Sequence, residues 1–376
     1  MGFAFYNYKV DAYGIFEHGI KHDKYDVSGF LRNIKPFWLQ KKEYNGIIIG
    51  TSRAHNGMDP DSINPYFEDA EFFNYGQSAL SYMGAHHIVA YAESEGIENY
   101  IVLLDTYILP NNRRKLGDHV PEWIPDYTLE SDDTEYFTKE LYNKLFSINA
   151  FNKNTRKILR TEDEPIWTDR GLNSLGYDRF EGGKKLAGPM RANLRKGKNR
   201  DFTDHKYETF QRSMDILCGA TGDVILIYPP VSMYYLSAIE YQSPGVTLDF
   251  KKKTMEYIFS KTSCAGNVRV IDFMYPNGIT LEDLRIRKPS QYYRDPSHFR
   301  ASTGTKIMAE IQGATDTNYG IEYSSYDPER IDSIEQTFVR FHDSIGIPTI
   351  IDYKLLRFIE DKEEEVEVES SEEVES

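Results

Sequence analysis

Cysteine is scarce. The two in this chain, Cys218 and Cys264, fit neither a metal ribbon nor a redox pair. They read most simply as small buried apolar residues, with a single disulfide between them as the alternative. Long apolar runs are also missing: none approaches the ~18 residues of a membrane span, and Met1 to Tyr8 lacks the charged and apolar regions of a signal peptide. As written, the chain reads as soluble. Positive charge is not in excess either, with 44 Lys and Arg against 59 Asp and Glu, a formal −15. That balance argues against a nucleic-acid partner, because displacing counterions from phosphates needs a basic surface.

The negative charge is concentrated at one end. From Glu360 onward ten acidic residues face one lysine, so the tail carries −9 of the −15 and leaves −6 for the rest. Residues 356–376 therefore read as a solvated, disordered acidic tail. The remainder, in a chain of 376 residues that is 40% hydrophobic and 14% aromatic, suffices for a compact core.

Short buried strands alternate with helices. Asn45 to Gly50 is a β-branched run closed by glycine, the pattern of a strand covered on both faces. Further strands are expected at Ala70–Tyr75, Tyr100–Asp105, Asp223–Tyr228 and Val268–Phe273, with helices at Ser78–Gly96, His205–Gly219, Phe250–Thr262 and Ile331–Ile345. This alternation predicts an α/β three-layer sandwich around a mostly parallel sheet. Residues 1–44 read as a lead-in packed on the domain, and 45–355 as the domain itself. Between about 110 and 204 the alternation breaks, apart from an expected helix at Tyr136–Ile158, and an insertion or cap is expected there at the sheet's carboxyl edge.

A serine nucleophile needs a tight strand-to-helix turn, a base, a group that orients the base, and donors for the oxyanion. Gly50-Thr51-Ser52-Arg53 follows the first buried strand, although it lacks the second glycine of a G-x-S-x-G elbow. Alone, such a tetrapeptide is more often an ordinary turn or helix cap. Asp295-Pro296-Ser297-His298-Phe299 sets a carboxylate and an imidazole three residues apart after the last expected strand; alone, it would be a surface turn with an incidental histidine. Each sits where an α/β sheet would place a site, which makes Ser52 the candidate nucleophile and His298, oriented by Asp295, its base.

Together these blocks resemble the SGNH (GDSL-like) hydrolase superfamily. The closer resemblance is to its envelope-polymer branch, which includes alginate acetylation and teichoic acid D-alanylation proteins, where G-[ST]-S-R opens the domain and D-x-x-H-[FY] closes it. Phe73-Asn74-Tyr75-Gly76 looks like the second block, and Val224 to Pro230 (VILIYPP) like the strand before the last blocks. The resemblance implies an oxyanion hole formed by the Ser52 and Gly76 amides. It departs at the third block, where Leu103-Leu104-Asp105-Thr106-Tyr107 offers no asparagine, a donor whose loss in comparable sites costs about 3 kcal/mol. Asn56 or Gln77 could replace it. Arg53 either binds substrate or pairs with Asp105; the pair is the expectation, since a buried arginine needs a carboxylate.

The resemblance implies ester hydrolysis or O-acyl (acetyl) transfer on an acylated carbohydrate or polysaccharide, without cofactor or metal. It also implies a cell-envelope location, a membrane-associated acyl-transfer partner and an N-terminal membrane helix upstream of this chain's start. A non-catalytic scaffold in a polysaccharide assembly is the alternative. His55 reads as a loop residue, and His86 and His87 as core or interface histidines, since adjacent helix positions do not share a face. The basic residues between Lys184 and Arg212 read as a solvated loop that could attract an anionic polymer, and Trp167, Tyr177 and Phe180 as flat faces for sugars.

Overall fold

The computed structural model describes residues 2–11, 13–16, 31–40, 43–78, 80–105, 146, 148, 150–152, 155, 167–168, 170–173, 202–284 and 289–345. Five strands form a parallel sheet: β1 (Gly46–Ile49), β2 (Phe72–Asn74), β3 (Asn99–Leu103), β4 (Val224–Tyr228) and β5 (Val268–Asp272). Their order is β2-β1-β3-β4-β5, the 2-1-3-4-5 arrangement of doubly wound sheets, in which ligand crevices open where the winding reverses, between β1 and β3. A sixth strand, β8 (Ile321–Tyr323), runs antiparallel along β5 and was not foreseen; it follows a two-stranded ribbon of β6 (Tyr293–Asp295) and β7 (His298–Phe299). The acid-base block therefore does not come after the last strand.

Alternate residues of each strand feed two cores. Ile47 and Ile49 join Tyr100, Val102, Leu226 and Val270 on one face, while Ile48 joins Ile101, Leu103, Ile225 and Ile271 on the other. Such double burial is why the strands read as continuous apolar runs. Helices cover each face, giving three layers: α5 (Tyr82–Ser94), α6 (Asp204–Leu217) and α8 (Val246–Ser260) pack on the first core, and α3 (Ser52–Gly57), α4 (Pro60–Ile63) and α9 (Ala301–Ile311) on the second. α7 (Met233–Gln242) contributes to both cores, and α10 (Pro328–Ile345) packs against α7 and α8.

The lead-in holds α1 (Gly2–Val10) and α2 (Leu31–Leu39), and Ile34, Phe37, Trp38 and Leu39 enter the first core. Pro36 lies inside α2, which hid that helix in the sequence. Ser81 caps α5, so the helix starts later than Ser78. The insertion expected at about 110–204 lies mostly outside the described residues. The helix expected at 136–158 lies mostly outside the described residues, although those described between 146 and 155 are helical. The tail from 356 lies wholly outside them.

Cys218 and Cys264 are disulfide-bonded, with Cα atoms 4.4 Å apart, which corrects the simpler reading of two free thiols. Their separation of 46 positions in sequence gave no sign of that proximity. Among the described residues no helix is long and apolar enough to cross a membrane.

Candidate active site

Thr51 ends the strand-to-helix turn and caps α3, whose first residue is Ser52. A first helical residue has no intrahelical acceptor for its N–H, so the Ser52 amide and hydroxyl share the end of α3 that carries positive dipole. The Ser52 side chain is half-buried, and its Oγ lies 2.5 Å from His298 Nε2. His298 Nδ1 lies 2.6 Å from Asp295 Oδ2. A carboxylate only accepts, so Nδ1 carries the proton and Nε2 is left as the acceptor facing the Ser52 hydroxyl.

The sequence D-P-S-H builds its own orientation. Asp295 Oδ1 accepts the Ser297 amide at 2.8 Å, the Ser297 hydroxyl at 2.8 Å and the His298 amide at 3.2 Å, which turns Oδ2 toward the imidazole. Burial pushes the Asp295 carboxyl up, but the bond and charge of His298 and the donors of Ser297 outweigh it and hold the group at about 2. It is therefore ionised across the physiological range.

Two contacts bring this block to α3 from far along the chain. A methyl group on Gly304 of α9 would lie 1.8 Å from the Gly57 carbonyl oxygen, so only glycine lets these backbones meet. One on Gly57 would lie 2.3 Å from the Phe299 ring, which seats β7 beside α3. Arg53 then bridges the halves: Nε donates to the Ser297 carbonyl at 2.7 Å, and Nη1 to Asp105 Oδ2 at 2.6 Å. The Thr51 hydroxyl donates to that same oxygen at 2.5 Å. Burial works against the Arg53 charge, and Asp105 more than restores it, leaving the guanidinium more basic than usual. Asp105, at the end of β3 where the third block would put asparagine, thus fastens the turn that presents Ser52. Ser232, the cap of α7, donates to the Pro296 carbonyl at 2.7 Å.

Gly76 departs from its expected role. Its amide donates to Asn74 Oδ1 at 2.9 Å, so it is not an open oxyanion donor here. A side chain at Gly76 would meet the His55 amide nitrogen at 2.5 Å, which makes this a close-approach glycine against α3. Gln77 is buried and gives its amide to the Gly50 carbonyl. Asn56 lies one turn along α3 from Ser52, and among the described residues neither Asn56 nor Gln77 makes a side-chain bond to the triad.

Asn74 and Lys35 were not singled out from the sequence. Asn74 is fully buried, and its Nδ2 donates to the carbonyls of Ala54 and Met58 at 2.8 and 2.6 Å, clasping α3 to the end of β2. A polar residue closing an aromatic strand was the available signal. Lys35 came from a segment whose proline masked its helix.

His55 lies in α3 rather than in a loop. It is buried, its ring edge meets Trp167 at 5.4 Å, and burial first, then the Lys35 charge, push it down to about 2. Trp167 is 1% exposed and packs tilted against Trp38, so it is not a face for sugars. Tyr177 and Phe180 lie outside the described residues, as do Lys184 to Arg200. Lys206 is buried on α6 rather than on a solvated loop. His86 bonds Ser213 at 3.2 Å, His87 is buried, and no group of His, Cys, Asp or Glu among the described residues is arranged to hold a metal.

Comparison with family models, curated proteins and solved structures finds no match to this chain.

Proposed function

We propose that this chain is a serine-dependent ester hydrolase or O-acyl (acetyl) transferase of the SGNH type, working through an acyl-Ser52 intermediate. The observation that carries this reading is the continuous chain from the Ser52 hydroxyl through His298 to the ionised Asp295. In it, His298 takes the Ser52 proton as Oγ attacks an ester carbonyl. The imidazolium then gives that proton to the leaving alkoxide, and water or a glycan hydroxyl releases the acyl group by the reverse path. The Ser52 amide at the start of α3 is the first donor to the oxyanion. The order of parallel strands, with the serine after β1 and D-x-x-H before α9, supports the superfamily.

The substrate proposed is an acylated carbohydrate or polysaccharide, with a membrane-associated acyl-transfer partner in the cell envelope; these rest on the resemblance of the sequence blocks. The Cys218–Cys264 disulfide supports an oxidising compartment. A second reading, a non-catalytic scaffold, draws on the engaged Gly76 amide.

The test is turnover of p-nitrophenyl acetate together with fluorophosphonate labelling. Wild type should do both. Ser52→Ala and His298→Ala should each cut turnover at least ~10³-fold, and Asp295→Asn should leave a weak remainder. A folded wild type inert to each probe would favour the scaffold.

A further inference from the structure

The turn that backs the candidate nucleophile is held by a buried ammonium. Lys35 Nζ, on α2 of the lead-in, donates to the carbonyls of Asn74 at 2.6 Å, Gly76 at 2.6 Å and Gly171 at 3.0 Å. The side chain is fully buried, and Nζ lies 5.3 Å from the Trp167 ring centroid and 5.9 Å from that of Phe73. Burying a lysine is costly unless its donors are satisfied, and these acceptors come from three separate segments.

Those segments pack on α3. Asn74 clasps the Ala54 and Met58 carbonyls, Gly76 packs on the His55 amide, and Asn173, two residues beyond Gly171, donates its amide to the His55 carbonyl at 2.8 Å. A β-turn's carbonyls could be held by water or by neutral donors at less desolvation cost. An ammonium does something those donors do not: its three N–H groups tie three separate segments at one point.

We propose that Lys35 is a positioning residue for the acyl-transfer site, fixing the β2 to α5 turn against α3, the helix that begins at Ser52. This rests on the serine-nucleophile reading given above. Lys35 touches no substrate; it acts through the Gly76 and Asn74 backbone.

The experiment compares Lys35→Met, Lys35→Gln and Lys35→Arg with wild type and Ser52→Ala on p-nitrophenyl acetate, with folding checked by circular dichroism. Lys35→Gln retains two donors without the charge, and carries the test if Lys35→Met does not fold. Loss of that tie should lower kcat about tenfold with KM unchanged, and Lys35→Arg should recover most of the loss. A role in folding alone would reduce thermal stability while leaving kcat of the folded variants at the wild-type value, which would overturn the proposal. If wild type itself is inert, the serine reading fails and this proposal with it, whereas an active wild type with an unaffected Lys35→Gln sinks the proposal alone.

Discussion

Two buried ion pairs occupy the carboxyl edge of the same sheet, one between Arg53 and Asp105 beside β1 and β3, the other between Lys251 and Asp272 beside β5. Their N–O distances are similar, 2.6 and 2.8 Å, and each side chain is at most 5% exposed. They differ in what they hold. Arg53 also reaches the Ser297 carbonyl, and Asp105 also accepts from Thr51, so that pair ties the helix that begins at Ser52 to the loop of Asp295 and His298. Lys251 donates to the Met274 carbonyl and Asp272 accepts the Met274 amide, so the second pair closes on the end of its own strand beneath α8. A buried pair marks a place where geometry must be fixed. On the proposed reading it serves chemistry where it steadies a reactive atom, and Ser52 is that atom beside the first pair.

The comparison breaks most sharply under loss of one charge from each pair. Arg53→Met and Lys251→Met should each destabilise by about 3–5 kcal/mol in chemical denaturation, because each strands a buried carboxylate. Under conditions where the variants remain folded, only Arg53→Met should lower ester turnover, by at least ~10-fold. Equal activity losses in the two variants would erase the distinction between the regions.

The second region is also where the disulfide joins the end of α6 to the segment before β5. Closing a loop of 46 residues restricts the unfolded chain, so Cys218→Ala with Cys264→Ala should cost about 3–4 kcal/mol. Melting should register that loss while kcat at 25 °C stays at the wild-type value. A fall in kcat would mean that the two regions are coupled.

The smallest effect belongs to Glu335 of α10. Its carboxyl is 8% exposed and is raised from 4.5 to about 7, first by burial, with Glu240, Asp272 and Asp332 adding and Lys251 opposing. A carboxyl raised in the folded state binds a proton that the unfolded chain has released. Stability should therefore fall as pH rises from about 4.5 to about 7 and stay lower above that. Glu335→Gln should be neutral near pH 4 and stabilising by about 2 kcal/mol at pH 8. Melting curves at the two pH values check the sign, and a variant less stable at pH 8 than wild type would refute it.

Much of this was legible because local pattern and burial agreed. Continuous β-branched runs such as Ile47-Ile48-Ile49 are what a strand covered on both faces requires, and β1 and β3 to β5 fell where those runs are. α2 was hidden by Pro36, and β8 by its position on an antiparallel edge. Placing His55 in a loop failed because a helix of six residues is too short to show a period. Trp167 looked like a surface platform because aromatic residues suit cores and sugar-binding faces equally, and only packing against Trp38 and His55 separates the two.

The sequence by itself determined the α/β alternation, the serine at the end of the first strand and the Asp-x-x-His turn, because each depends on neighbours within a few residues. Tertiary structure decided everything that depends on distance through the chain. It set Ser52 against His298 across 246 residues by way of the Gly57–Gly304 contact, joined Cys218 to Cys264, and put Lys35 under the Gly76 turn. It also engaged the Gly76 amide with Asn74, which no spacing in the sequence could signal. Periodicity reports which residues are buried. It carries no record of which buried groups face one another, since that follows from how whole elements dock.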